Sequence, residues 1–160
     1  MSYMDGFYQS VEQVGVVPVV VLDRAEDAVP LGKALAEGGL PAAEVTFRTA
    51  AAADSIRVIP AGVTPTEVTA LVNEGVEVTK FFPAAQYGGL STIRALVSVF
   101  VGRRFMPTGG VNAENLKDYL ADPAIIACGG TWMCKPAMIH AGEFDRICEL
   151  SREAAAIVRG

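Results

Sequence analysis

Val16-Val-Pro-Val-Val-Val-Leu22 is the stretch on which the fold turns. Its seven apolar residues run without polar alternation. A strand with one wet face would alternate, so this run reads as a strand buried on both faces, the pattern of a parallel sheet covered by helices. Working outward, Asp23 is a plausible N-cap, and Glu26 to Glu37 reads as a helix closed by Gly38-Gly39, with Pro30 kinking it or marking its true start. Ala43-Glu-Val-Thr-Phe-Arg48 is a second strand, and Ala50 to Ile59 begins helical and turns β-branched. Thr64-Pro-Thr-Glu67 carries a capping box for a helix to about Asn73. Strand, helix, strand, helix then follow as Val76–Phe82, Leu90–Phe100, Arg103–Pro107 and Asn112–Leu120. Ala124–Cys128 is a further strand, and Phe144–Val158 is the last helix. Asp5 to Ser10 reads as an N-terminal helix over the floor of the sheet. Alternating βα units with buried strands predict an α/β parallel sheet, open or closed, in a single domain over residues 1–160. Strands ending in polar or glycine-rich residues are typical of a (β/α) barrel with its site at the C-terminal strand ends.

Composition narrows the function. The net charge of −5 leaves no basic patch, so nucleic acid is not an expected partner. No apolar run reaches the ~18 residues of a membrane span, and Met-Ser-Tyr-Met-Asp-Gly lacks the regions of a signal peptide, which points to the cytoplasm. Cys128, Cys134 and Cys148 show no ligand spacing and read as buried thiols. A single histidine, His140, gives little material for a zinc site or a His-based triad; no metal and no cofactor are expected.

The candidate chemistry begins at Val76-Glu-Val-Thr-Lys-Phe-Phe-Pro83. Lys80 stands inside an apolar strand just before a proline. A lysine in a dry site tends to lose its proton, and a neutral amine forms Schiff bases with carbonyls. The plainer reading is an edge-strand lysine that discourages aggregation. On the second strand, Glu44, Thr46 and Arg48 share one face. They read either as a structural Glu–Arg pair or as an acid/base beside a carboxylate-binding cation whose fork donates two parallel hydrogen bonds. Thr108-Gly109-Gly110 and Gly129-Gly130-Thr131 follow consecutive strands. Glycine turns either serve the chain path or make anion nests, and in barrels phosphate commonly sits after the last two strands. Trp132 could line the site or cap the barrel, and Arg103 and Arg104 read as structural residues of the bottom face.

Val17-Pro-Val-Val, Glu44-Val-Thr-Phe-Arg-Thr49, Lys80-Phe-Phe-Pro83, Pro107-Thr-Gly-Gly110 and Gly129-Gly-Thr-Trp132 occur in one order. Together they resemble the 2-keto-3-deoxy-6-phosphogluconate (KDPG) / 4-hydroxy-2-oxoglutarate (KHG) aldolase family. The resemblance implies a (β/α)8 TIM barrel, a homotrimer and a metal-independent carbon–carbon lyase of class I. The substrate would be a 2-keto acid, phosphorylated or hydroxyoxoglutarate. It implies that Lys80 forms the Schiff base, Glu44 shuttles protons and Arg48 holds the pyruvyl carboxylate, with Thr46 as a further substrate-binding residue. Gly109, Gly110, Gly130 and Thr131 would hold a phosphate, Thr131 standing where the family commonly has serine. Thr108 and Phe82 would line the pocket.

The chain departs from that pattern in length. A full barrel takes roughly 200 residues or more. Only five strands are read here, with a sixth possible in Arg57-Val-Ile-Pro-Ala-Gly-Val63. After Ile59 the pattern of the resembled family would continue through strands 3 and 4 and most of strand 5, which have no counterpart. The deletion leaves an open or re-closed sheet, completed by oligomerisation or strand exchange, or marks a truncated, weakly active or non-catalytic scaffold that oligomerises, or reflects a segment outside this sequence.

Overall fold

The computed structural model describes residues 3–46 and 59–160. Five parallel strands, β1 (Val16–Val20), β2 (Glu44–Val45), β3 (Val78–Phe81), β4 (Arg104–Pro107) and β5 (Cys128–Gly130), form ladders β2-β1-β5 and β3-β4. Bridges Phe105↔Ile125 and Thr108↔Gly129 join the two ladders, and Ala61↔Lys80 adds one more neighbour beyond β3. The continuous order is therefore β2-β1-β5-β4-β3-Ala61, all parallel. The part of the proposed sixth strand that lies at 57–58, and the Ala50–Val58 part of the helix read above, fall outside the described residues. Of that sixth strand, Ala61 is the residue that bridges.

Seven helices accompany the strands among the described residues: α1 (Tyr3–Val14), α2 (Ala28–Glu37), α3 (Pro65–Asn73), α4 (Gly89–Val99), α5 (Leu116–Leu120), α6 (Pro136–His140) and α7 (Phe144–Arg159). Local sequence explains most of their ends. A 3-10 turn at Ala25–Asp27 leads into α2, so Pro30 sits in the first helical turn, where its missing N–H removes no intrahelical bond. At the other end Leu40 N donates to Leu35 O and Gly39 N to Ala36 O, a Schellman turn that buries Leu40. The Thr64–Glu67 capping box forms in full, with Pro65 in the first turn of α3.

Several boundaries differ from the sequence reading: β1 stops at Val20, β3 is shorter at both ends, α1 is longer, α6 has no counterpart in that reading, and three further differences have a visible cause. Asp23 does not cap α2; its carboxylate meets His140 Nε2 at 2.7 Å. Asn112 opens a turn rather than a helix, its side chain accepting from the N–H groups of Glu114 and Asn115, and α5 starts only at Leu116. The last strand lies over Cys128–Gly130, because that glycine pair is drawn into the ladder opposite Val17 and Pro18.

The period of two sorts the strand residues into layers. Val16, Val20, Phe81, Phe105 and Cys128 join helix residues such as Leu35, Ile93, Leu116 and Ile147 in the larger core. Val17, Val78, Met106 and Ile126 form a second cluster on the other face, covered by Tyr8 and Val11 of α1. Each of these side chains is nearly excluded from water, and burial of one such side chain contributes roughly 1.5–3 kcal/mol. The N-terminal helix thus does cover the floor of the sheet, pinned by Glu12 on Arg104 at 3.1 Å. Arg103 donates to Val76 O at 3.0 Å, so both arginines are structural.

Candidate active site

Lys80 shares its face of β3 with Val78, and its register partner Met106 belongs to the same inner cluster. Glu44 is register partner to Val19, whose neighbour Val17 is also in that cluster. Both polar side chains therefore stand one step above an apolar floor. Lys80 Nζ donates to Glu44 Oε1 in a hydrogen-bonded ion pair. The lysine side chain is 16% exposed and the carboxylate 31%. β2 and β3 are separated by β1, β5 and β4 in the described strand order, so this contact means that the sheet curls until the two strands face each other across its inner side.

Lys80 is not on a free edge. Its N–H donates to Pro60 O at 2.8 Å and its C=O accepts from Gly62 N at 3.0 Å, while β4 pairs on the other side. The edge-strand reading therefore fails on geometry. Above the lysine, the Phe82 ring lies with its centroid 5.7 Å from Nζ, a cation–π distance. Phe82 is about half exposed.

The Thr108-Gly109-Gly110 turn packs directly on the loop that follows Lys80. Ala84 N donates to Thr108 O at 2.8 Å, and Ala85 N to Gly109 O at 3.1 Å. Gly109 and Gly110 have φ of +91° and +82°, a region that side-chain-bearing residues avoid. A Cβ on Gly109 would come 3.3 Å from Pro83 Cα, and one on Gly110 would run into Ala85. The two glycines let the lysine loop close on the β4 turn.

Thr108 is 4% exposed, and its hydroxyl has no hydrogen-bond partner among the described residues. An unpaired buried hydroxyl costs about 1–3 kcal/mol. It rests against Gly129, where a Cβ would come 2.9 Å from Thr108 Cγ2 and nearer still to the hydroxyl. The sequence reading names Gly129 only as part of a glycine turn: no local signal separates it from its neighbour, and the Thr108↔Gly129 bridge shows its packing role. Gly130 is buried, and the space beside it is filled by the Trp132 ring. Trp132 is half-buried and packs against the larger core. Thr131 is exposed at the strand end.

Thr46 does not present its hydroxyl to Lys80. Its N–H and Oγ1 both donate to Val20 O, at 3.0 and 3.3 Å, which fastens β2 to β1. Arg48 lies outside the described residues. Cys128 and Cys134 are buried, and desolvation pushes both thiols up to about 12, which leaves them protonated and inert. No cluster of metal-ligating side chains occurs among the described residues.

Comparison with known proteins identifies the family. The family model of KDPG and KHG aldolase matches residues 8–63 and 57–150, in two pieces that meet at 57–63. The 2-dehydro-3-deoxy-phosphogluconate aldolase of Treponema pallidum is 33% identical over 203 aligned positions, covering 94% of this chain and 97% of that protein. Since 94% of 160 residues is 150, about 53 of those 203 positions hold no residue of this chain. The KHG/KDPG aldolase of Escherichia coli K12 is 31% identical, covering 87% of this chain and 90% of that protein. Among solved structures, a KDPG aldolase of Legionella pneumophila, with pyruvate captured as a covalent carbinolamine intermediate, superposes with a TM-score of 0.83. It is 27% identical, covering 91% of this chain and 96% of that one. The KDPG aldolase of Zymomonas mobilis ZM4 with 3-phosphoglycerate gives 0.80 at 26% identity, covering 94% of this chain and 95% of that one. A family match over nearly the whole chain, with relatives above 30% identity, places this protein in the KDPG and KHG aldolase family.

Proposed function

We propose that the chain is a class I aldolase that cleaves KDPG to pyruvate and glyceraldehyde 3-phosphate, hydroxyoxoglutarate to pyruvate and glyoxylate, or both. The observation that carries the reading is the Lys80–Glu44 pair on the inner face of the curled sheet, in a chain of this family. In its neutral form Lys80 attacks the C2 ketone, and loss of water from the carbinolamine gives a protonated imine. The iminium draws the C3–C4 bonding electrons as Glu44 accepts the C4 hydroxyl proton, and the aldehyde leaves. The enamine takes a proton at C3, and hydrolysis frees pyruvate and Lys80. The iminium is the electron sink, so the step needs no metal.

Arg48 is assigned the pyruvyl carboxylate by its place in the Glu44–Arg48 motif. The unpaired Thr108 hydroxyl supports a hydrogen bond to a substrate hydroxyl. Phe82 forms the apolar side of the pocket, and Gly109, Gly110, Gly130 and Thr131 form the phosphate end. Thr46 is reassigned from substrate contact to holding β2. Beyond the parallel α/β fold, we read the chain as a (β/α)8 barrel without strands 3 and 4 and most of strand 5. The 53 unmatched positions and the meeting of the two family matches at 57–63 support that placement. A homotrimer in the cytoplasm completes the reading by family resemblance. The same missing segment favours a second reading, a weakly active scaffold. Borohydride trapping with pyruvate separates them. A covalent adduct on the wild-type chain that disappears in Lys80→Ala supports the lyase; no adduct on the wild type, or one that survives in Lys80→Ala, overturns it.

A further inference from the structure

The residues that fix the backbone of Lys80 lie outside the pocket. Pro60-Ala61-Gly62 is the outermost ladder partner of β3, and no further strand follows it among the described residues. Pro60 O and Gly62 N take both backbone polar groups of Lys80. A three-residue strap is too short to hold itself as a strand, since few bonds offset the ordering of its backbone. Its anchor is at the next two residues. Glu67 Oε2 accepts from Val63 N at 3.0 Å, Thr64 N at 2.9 Å and Thr64 Oγ1 at 2.8 Å. Thr64 Oγ1 accepts in turn from Glu67 N at 3.3 Å. Gly62 is buried against the same helix turn, where a Cβ would stand 3.2 Å from Glu67 Cβ and from Leu71 Cδ1.

We propose that Glu67 is a positioning residue for Lys80, acting through the Pro60–Gly62 strap, whose next two residues it ties to the first turn of α3. Among the described residues, the Glu67 side chain bonds to Val63 and Thr64 and makes no hydrogen bond or ion pair with Lys80 or Glu44. It holds the strap, the strap holds the Lys80 backbone, and that backbone sets where Nζ meets Glu44. The bonds from Val63 N–H and then Thr64 N–H keep the Glu67 carboxyl below the usual carboxylate range, so it stays an acceptor at neutral pH. The role in catalysis rests on the Schiff-base reading above, but the mechanical link does not.

The test compares wild type, Glu67→Ala and Glu67→Gln. Gln retains an oxygen for the bonds that converge on Oε2, so it serves as the conservative rescue. Amide exchange is read at Lys80 and Gly62, with Cys128, which donates to Gly15 O at 2.8 Å in the distant β1–β5 ladder, as the internal control. Loss of a helix cap predicts about tenfold faster exchange at Lys80 and Gly62 in Glu67→Ala, no change at Cys128, and near wild-type exchange in Glu67→Gln. The rate of pyruvate-dependent borohydride trapping is expected to fall in Glu67→Ala and recover in Glu67→Gln. Unchanged exchange at Lys80 and Gly62, or equal loss at Cys128, overturns the strap. Faster local exchange with trapping at the wild-type rate overturns its role in positioning. A wild-type chain that traps nothing overturns the Schiff-base reading, and the exchange data still decide the strap.

Discussion

Replacing Thr108 by valine should make the protein more stable and less active. The hydroxyl is buried and has no partner among the described residues. Removing it relieves about 1–3 kcal/mol of uncompensated desolvation. The methyl that takes its place contributes about 0.8 kcal/mol of burial. Against this stands the tight seat on Gly129, where a slightly larger group brings some overpacking. The expected balance is a gain of about 1–2 kcal/mol, or roughly 2–8 °C in Tm for a chain of this size. Thr108→Ser is the control: it keeps the hydroxyl, loses the methyl and should cost about 1 kcal/mol. Urea unfolding of the ligand-free proteins gives the stabilities, and a coupled pyruvate-release assay gives kcat/KM. If the hydroxyl awaits a substrate hydroxyl, kcat/KM falls roughly tenfold in Thr108→Val, the worth of one such bond at about 1.4 kcal/mol. A Thr108→Val protein that is destabilised as much as Thr108→Ser would refute the reasoning, because the hydroxyl would then have a partner in the free protein.

Two further perturbations test the frame of the site. Gly110→Ala should cost about 2–4 kcal/mol, from a left-handed φ and a collision with Ala85; thermal unfolding measures it, and pyruvate trapping should slow because the lysine loop sits on that turn. Asp122 accepts from Arg94 Nε at 2.7 Å and Ala124 N at 3.0 Å, which hold its carboxyl below its ordinary value of 3.8. A lowered pKa means that its stabilisation is present above 3.8 and is lost as pH falls through the lowered value. Asp122→Asn should therefore cost about 1–3 kcal/mol at neutral pH, and the gap to wild type should close below about pH 3.8 in acid-unfolding curves.

What could be read from the sequence was local or periodic. The Val16 run, the Thr64–Glu67 box and the Gly38-Gly39 stop act within one or two turns of chain, and each appears as expected. The alternation expected to put Glu44 and Thr46 to one use does not do so, since β2 ends at Val45 and the Thr46 hydroxyl donates to Val20 O on the neighbouring strand. The failures are non-local. Gly129 and Gly130 look like a turn, yet ladder pairing with β1 overrides the low strand tendency of glycine. Asp23 looks like a cap until His140, distant in sequence, arrives beside it. The seat of Thr108 and the strap on Lys80 depend on strand order, which no short window contains.

The α1 helix seals the sheet from below with Tyr8 and Val11. On the Schiff-base reading proposed above, that apolar floor lies behind Lys80 and Glu44, and substrate reaches the pair from the strand ends that carry Phe82 and Thr131. The pyruvyl fragment would then sit nearest the floor and the aldehyde nearer the rim. That placement predicts a sequence of departures: aldehyde first, keto acid last, and in the synthetic direction the keto acid seated before the aldehyde arrives.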